Sequence, residues 1–245
     1  MNSRLVLAAI LLAGAAAAQD PRQIVQEVQK RQHSDSQRYQ GTLEVIGDGN
    51  KIATKSWIYQ RIGSFGNSKA RLQFTTPAEV KGVAMLIVNH PDRVSDQWIW
   101  TPSVGRDRRI ALQDRSTRFF GTDFSFEDLE ERDVDQYDFK LVADEGAAFK
   151  IESRPRKKSQ YTYSLLWVRK DNYVFTKVES YDSKGLVRTT DYKDYTQVKN
   201  IWTAMTTEVF DVRRKSRTIL KYEKLEYNLP FKDSDFTLQS LRLGL

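Results

Sequence analysis

The sequence contains no cysteine, and this absence removes several classes of site together. It excludes disulfide bonds, thiolate metal sites and a cysteine nucleophile. It also excludes the lipid-modified cysteine that would tether a bacterial lipoprotein to a membrane. We therefore expect the mature protein to be soluble, with a core built from the 40% of residues that are hydrophobic.

Histidine is almost as scarce, because the 245 residues include only His33 and His90. Nucleophilic catalysis needs a hydroxyl or thiol beside a base, and neither histidine has such a setting. His33 follows the end of a predicted helix and His90 lies in a predicted turn, so both are predicted to be solvated surface residues. The GxGxxG, Walker and GxSxG motifs are absent too. The sequence therefore predicts a protein that is not an enzyme and uses no cofactor.

With no thiols and two distant histidines, carboxylates are the remaining candidate metal ligands. They are concentrated in one run, which contains Asp123, Glu127, Asp128, Glu130 and Glu131. This run lacks the alternating oxygen ligands and the glycine of a calcium loop. We interpret it as helix-capping and solvated charge, and we predict no metal site.

An extended apolar run occurs at the N-terminus, where Arg4 precedes Leu5–Leu12 and small residues end at Ala18. This pattern is typical of a signal peptide, residues 1–18, cleaved after Ala18. The alternative is an anchor helix, but the run is shorter than the roughly 20 residues that span a bilayer. The net charge of +7 favours anionic membrane surfaces or acidic partners over nucleic acid, which an exported protein seldom meets.

A short amphipathic helix is predicted where the remaining chain begins. Asp20 followed by Pro21 is a typical helix start, since the aspartate can cap and proline suits the first helical position. Three apolar side chains then form one stripe before polar residues take over: Ile24, Val25 and Val28.

Beyond this helix, apolar residues recur at every second position, which is the period of β-strands. A hairpin is predicted over residues 41–62, and further strands follow at intervals of about ten residues as far as Tyr227. No linker or internal repeat divides the chain. The sequence therefore predicts a mainly β protein with a single domain over residues 19–245.

The stretch Thr76–Leu129 carries the most specific pattern in the chain. It contains TPAEVKGVAMLIV, DQWIWTPSVGRDRRI and FFGTDFSFEDL in close succession. The order of these segments resembles that of LolA-like outer-membrane lipoprotein-sorting proteins, the periplasmic carriers of lipid-modified cargo. At lower specificity the resemblance continues through Trp167–Tyr173 and Tyr181–Gly185 to Asp235–Phe236, so it covers most of the mature chain.

The resemblance implies a curved antiparallel sheet that forms an unclosed (half) β-barrel. It further implies that short helices cover the mouth of this half-barrel, that acyl chains enter its hollow and that the protein is periplasmic.

Three groups of residues form the candidate site. Strand faces predict a cavity wall made of Trp57, Tyr59, Leu72, Phe74, Met85, Ile87, Trp98 and Trp100. The phenylalanines around Gly121 predict a lid made of Phe119, Phe120, Phe124 and Phe126. Basic residues after the tryptophans predict a site for an anionic headgroup or a partner at Arg106, Arg108 and Arg109. Each group also has a simpler interpretation. The wall residues would be ordinary core, the phenylalanines would belong to a loop that plugs one end of the barrel, and the arginines would face solvent.

Two functions are compatible with this pattern. The first is a monomeric periplasmic carrier that binds the acyl chains of lipoproteins or lipids, exchanges them with membrane transport proteins and moves them to the outer membrane. The second is a periplasmic adaptor with a filled core, which carries nothing and assists a membrane transporter or an envelope assembly. An internal cavity of roughly a few hundred cubic ångströms would favour the carrier.

Overall fold

The computed structural model describes residues 19–47, 49 and 51–244 of the chain. The predicted signal peptide lies outside these residues, so its cleavage after Ala18 stays a prediction. No helix in the described part of the chain is long and apolar enough to cross a membrane.

The first element is helix α1 (Pro21–Gln32), which begins where the sequence predicts. The Asp20 carboxylate accepts a hydrogen bond from the Arg22 backbone N–H at 3.0 Å, so the predicted cap is present. The predicted apolar stripe is buried: Ile24, Val25 and Val28.

Thirteen strands form one antiparallel sheet within the described residues. In chain order they are β1 (Ser36–Ile46), β2 (Ile52–Ser64), β3 (Asn67–Thr76), β4 (Ala84–Val88), β5 (Asp96–Thr101), β6 (Arg106–Arg109), β7 (Tyr137–Glu145), β8 (Ala148–Pro155), β9 (Tyr163–Arg169), β10 (Phe175–Asp182), β11 (Gly185–Val198), β12 (Ile201–Asp211) and β13 (Ser216–Tyr227). Short 3₁₀ turns occupy Leu112–Asp114, Glu127–Leu129, Val134–Gln136 and Asp233–Asp235.

The spatial order of the strands is β6-β5-β4-β3-β2-β1-β13-β12-β11-β10-β9-β8-β7. Strands β6 and β7 are neighbours in sequence, yet they form the two opposite edges of the sheet. The chain between them, residues 110–136, therefore crosses from one edge to the other. The predicted unclosed antiparallel sheet is confirmed.

Side chains on one face of the sheet remain aligned across many strands, because residues paired across antiparallel strands point to the same side. One row of paired residues is Leu43, Leu220, Thr207 and Tyr192. A second row is Thr190, Val178, Leu166, Ile151 and Leu141. We call the side that carries both rows the inner face.

Two apolar cores cover opposite parts of the inner face. The first lies under residues 110–136, where the Phe119 ring packs 5.6 Å from Phe74 and 5.8 Å from Trp57, measured between ring centroids. The second lies under α1, whose buried stripe packs against Ile151 and Val168. The helix and the long connection are thus the elements that cover the hollow.

Helix α2 (Leu238–Leu243) covers part of the opposite, outer face. Its Leu241 packs with Phe236 against Leu86 of β4. The sequence did not predict this helix, because six residues are too few to display a helical period.

Substitution of Gly41 by alanine is expected to destabilise the first core. Gly41 pairs with Trp57, and a β-carbon at Gly41 would lie 2.1 Å from Trp57 Nε1. The indole is 2% exposed and packs on Phe74 and Phe119, so it has no room to move. Overpacking of this kind costs about 1–3 kcal/mol in the free energy of unfolding, which urea denaturation measures.

The matched control is Gly47→Ala, where the nearest atom to the new β-carbon is the Lys51 carbonyl oxygen at 4.0 Å. Equal unfolding free energies for the two variants would contradict the packing described for Trp57.

Candidate functional site

A cavity of about 410 Å³ lies on the inner face between the two cores. It is partly open to solvent and is bounded by α1, by residues 124–134 and by strands β7 to β12. The apolar side chains that line it include Val25 from α1, and Phe139, Leu166, Val178 and Val209 from the sheet, and we call the four on the sheet the apolar floor. Hydroxyl side chains of the same strands, such as Ser164 and Thr190, line it too. We call the whole space the main cavity.

The opposite wall of the main cavity is charged. Arg132 donates to Glu127 Oε1 at 2.9 Å and to Glu130 Oε2 at 3.0 Å, and Arg188 donates to Asp128. Every side chain in these three arginine–carboxylate contacts is at least four-fifths buried. Our interpretation of this acidic run as solvated charge was wrong, because Arg132 of the same segment and Arg188 from β11 pair with its carboxylates and bury them.

Two further arginines, Arg115 and Arg61, pair with carboxylates of the same acidic run. The Glu130 side chain is 1% exposed and also accepts from Arg115. Glu131 lies 3.1 Å from the Arg61 guanidinium. Each carboxylate that lines the main cavity therefore has an arginine partner.

The charged wall shifts the pKa values of its members. Burial alone would lower the pKa of Arg132, but Tyr137 and the carboxylates of Glu130 and Glu127 more than offset it, so that pKa is raised. For Tyr161, by contrast, burial itself raises the pKa, and its hydroxyl donates to Asp128 Oδ1 at 2.7 Å. Arg132 thus stays a cation and Tyr161 a neutral donor at ordinary pH.

The phenylalanine segment, residues 119–126, is fixed to the sheet by Asp123. The Asp123 backbone N–H donates to Thr218 Oγ1 at 2.8 Å, and the Thr218 hydroxyl donates back to the carboxylate at 2.8 Å. Ser216 also donates to this buried carboxylate. Ser125 accepts from the Asp128 backbone N–H at 3.3 Å, and the Asp128 carboxylate accepts from the Ser125 backbone N–H at 2.6 Å.

The predicted lid residues lie at the boundary between the first core and the main cavity. Phe119 is fully buried, and Phe126 is nearly so. Phe120 packs edge-on against Phe119 with ring centroids 5.0 Å apart. Phe124 is the member of the group that lines the main cavity.

Six of the predicted wall residues lie together in the first core and not around the main cavity: Trp57, Tyr59, Leu72, Phe74, Met85 and Ile87. The space in front of them is filled by Phe119 and Phe120. A role in ligand binding for these six residues stays a prediction.

The other two predicted wall residues, Trp98 and Trp100, lie on the outer face. They pair with Leu86 and Ala84 and pack in the cluster that α2 covers. Alternation along β5 sends Ile99 to the inner face, where it joins the first core. The structure therefore does not bring the tryptophan pair together with Met85 and Ile87.

The predicted headgroup arginines are exposed on edge strand β6, far in the strand order from the main cavity. Arg109 donates to Asp96, and Arg108 lies 4.0 Å from Asp114. Arg106 is also exposed. These arginines do not line the main cavity, so any headgroup role stays a prediction.

His90 is not the solvated surface residue that the sequence predicted. Its Nε2 lies 2.9 Å from Asp96 Oδ2, and Arg93 donates to the same oxygen at 2.7 Å. Burial would raise the pKa of Asp96, but the hydrogen bonds from Arg93, Arg109 and His90 lower it below its usual range. His33 is exposed, in agreement with the sequence.

A second cavity of about 210 Å³ adjoins the main cavity, and we call it the aromatic cavity. Its walls include Tyr192, Tyr195, Tyr222 and Tyr227, none of which the sequence singled out. Burial raises the pKa of Tyr222 to about 12, so its phenol stays neutral.

Two features of the site could have been detected in the sequence. Tyrosines recur at Tyr192 and Tyr195 on one strand and at Tyr222 and Tyr227 on another. The acidic run alternates with aromatic and apolar residues, which is unusual for a solvated segment. Among the described residues, no group of three or more histidine or acidic side chains could hold a metal ion.

Substitution of Arg132 by leucine is expected to lower the free energy of unfolding by about 3–5 kcal/mol at pH 7, because Glu127 and Glu130 lose a buried counter-charge. Urea denaturation at pH 7 provides the measurement.

The control is Arg154→Leu, which breaks an exposed pair with Glu152 and should cost less than about 1 kcal/mol. If both variants lost the same small amount of unfolding free energy at pH 7, the charged wall would not be an essential part of the fold.

Comparison with known proteins was made for sequence and for structure. A family model described as that of an uncharacterized protein matches residues 66–243. No protein with a curated description matches the chain significantly.

Among solved structures, an outer membrane lipoprotein-sorting protein domain from Vibrio parahaemolyticus is 27% identical, with a TM-score of 0.86 over 91% of this chain and 98% of the other. A DUF1329 family protein from Desulfovibrio piger is 25% identical, with a TM-score of 0.85 over 91% of this chain and 100% of the other. A LolA superfamily protein from Nitrosomonas europaea, 20% identical with a TM-score of 0.73, shares the fold over 91% of this chain and 100% of its own. The matched segment covers most of the chain, so the protein belongs to the family of that model, and it shares the open-sheet fold of the lipoprotein-sorting domain and of the LolA superfamily protein.

Proposed function

We propose that the protein is a periplasmic, non-enzymatic carrier that binds the acyl chains of lipoproteins or lipids for transport to the outer membrane. We further propose that residues 19–245 act as one domain after removal of residues 1–18. The main cavity carries this proposal, since it combines an apolar floor with access from solvent on the inner face. The likeness to a lipoprotein-sorting domain supports it.

The size of the main cavity suits such a ligand. Small-molecule sites typically measure about 300–1,000 Å³, and the main cavity measures about 410 Å³. Each methylene removed from water contributes about 0.8 kcal/mol, so burial alone can hold a chain without any reactive group.

The position of the apolar floor suggests where the chain lies. Val178 and Leu166 pair across β10 and β9, and Val209 lies two strands away on the same face. An acyl chain placed along these residues would have α1 on one side and Phe124 on the other. The predicted wall around Trp57 would contact the chain only if residues 119–126 withdrew from the first core.

The alternative function is a non-carrying adaptor of a membrane transporter or an envelope assembly. One observation favours it: the first core is filled by the phenylalanine segment, which Asp123 fixes to the sheet. In that case the exposed Arg106 and Arg108 would be candidate contacts for a partner. Recovery of a membrane protein with the purified chain, together with absence of lipid, would support the adaptor.

Filling the main cavity should abolish uptake of an acyl chain. Thr190 lines the cavity and pairs with Val178 and Val209, so Thr190→Trp places an indole over the floor. We expect at least a tenfold loss of affinity for a fluorescent fatty acid and loss of lipid from organic extracts analysed by mass spectrometry.

The matched control is the same substitution at the neighbouring residue, Thr189. Thr189 pairs with Glu179 and Phe210 on the outer face, so Thr189→Trp adds the same ring outside the cavity and should leave uptake unchanged. The carrier would be refuted if the wild-type protein yielded no lipid and took up no probe. A probe that bound both variants equally well would place the acyl chain elsewhere.

A further inference from the structure

We propose that the aromatic cavity is a cage for a quaternary ammonium group, and that it receives the headgroup of an amphiphile whose chain lies in the main cavity. The part of this proposal that concerns the chain rests on the proposed carrier function. The cage itself depends only on the residues that line the aromatic cavity.

About half of the residues that line the aromatic cavity are polar or aliphatic, and the others carry aromatic rings. Five of them are Phe175, Tyr192, Tyr195, Tyr222 and Tyr227, contributed by strands β10, β11 and β13. The faces of aromatic rings carry negative electrostatic potential and attract cations, and rings arranged around a small space are the usual means of binding quaternary ammonium. Such a cation cannot donate an N–H hydrogen bond, so ring faces are its natural partners.

Two hydroxyl groups of the cage are used within the protein. The Tyr227 hydroxyl lies 2.8 Å from Thr203 Oγ1, and the Tyr195 hydroxyl donates to the Phe175 carbonyl oxygen. These two tyrosines therefore offer a ligand mainly their rings.

The charges around the aromatic cavity do not favour an anion. The cationic side chain in its wall is Arg61, which lies 3.1 Å from Glu131 and donates to Ser34 Oγ at 2.8 Å and Ser64 Oγ at 2.6 Å. Glu131 compensates its charge, and its two terminal nitrogens donate within the protein. A carboxylate or phosphate would gain no unpaired positive charge there, whereas a cation would gain the ring faces and lie beside Glu131.

The two cavities are adjacent, which allows one ligand to occupy both. They share Phe65, Glu131, Phe175, Tyr192 and Thr207 as wall residues. A single-chain amphiphile with a trimethylammonium end could thus place its chain over the apolar floor and its headgroup among the tyrosines. Free choline and other small quaternary amines have the same headgroup chemistry without the chain.

The test compares three probes by isothermal titration calorimetry at micromolar protein, below the micellar concentration of each amphiphile. Dodecyltrimethylammonium carries chain and cation, dodecanoate carries the same chain with an anion, and tetramethylammonium carries the cation alone. We expect dodecyltrimethylammonium to bind at least tenfold more tightly than dodecanoate, and tetramethylammonium to bind weakly at the same cage.

Variants of Tyr195 identify the cage, because this residue lines the aromatic cavity and not the main cavity. Removal of one ring from a cation site weakens binding by about 3- to 30-fold, so Tyr195→Leu should lower affinity for both ammonium probes by this factor. It should leave dodecanoate binding unchanged. Tyr195→Phe retains the ring face and should bind the ammonium probes within about threefold of the wild type.

The control for the loss of a tyrosine is Tyr163→Leu, because Tyr163 stacks on Tyr181 with ring centroids 4.6 Å apart and lines neither cavity. Equal affinity for dodecyltrimethylammonium and dodecanoate would overturn the cage, as would a preference that survives in Tyr195→Leu. Dodecanoate binding without ammonium binding would leave the carrier standing and refute the cage. Tyr195-dependent binding of tetramethylammonium without uptake of either chain would support the cage and refute the carrier.

Discussion

The buried carboxylate of Asp123 organises the inner face of the sheet. Through Thr218 and Ser216 it holds the phenylalanine segment against β13. This contact fills one part of the inner face with aromatic rings and ends the filled region at Phe124. The remaining part, under α1, keeps an open volume with an apolar floor. A single fixed segment thus divides the half-barrel into a packed core and a cavity.

The charged wall has the complementary role of bordering the cavity with charges that are paired without a ligand. Four carboxylates each meet an arginine: Glu127 meets Arg132 of its own segment, and Asp128, Glu130 and Glu131 meet Arg188, Arg115 and Arg61 from other parts of the chain. Buried ion pairs contribute less to stability than their geometry suggests, but loss of one partner is costly. The network therefore fixes the position of residues 127–132, and with it one side of the cavity, while the apolar floor belongs to the sheet.

Much of the fold could be predicted from the sequence, because it is recorded in local patterns. The cap at Asp20, the stripe of α1 and the alternation along the strands determine their elements directly. The site could be predicted only in part. Alternation correctly separates Trp98 and Trp100 from Ile99, but it does not say which side faces the hollow, and that depends on the pairing of β5 with β4. Burial of the acidic run depends on Arg115, Arg132 and Arg188, whose approach is a property of the folded chain.

The central claim is that an acyl chain occupies the main cavity and not the first core. A fatty acid with a nitroxide on its chain, added to protein with isotopically labelled methyl groups, tests this directly by paramagnetic broadening in NMR spectra. The account predicts strong broadening of the methyl signals of Leu166, Val178 and Val209, with the signals of Leu72 and Ile87 largely retained. Broadening confined to exposed apolar residues such as Leu243 and Ile52, with the floor of the cavity unaffected, would contradict it.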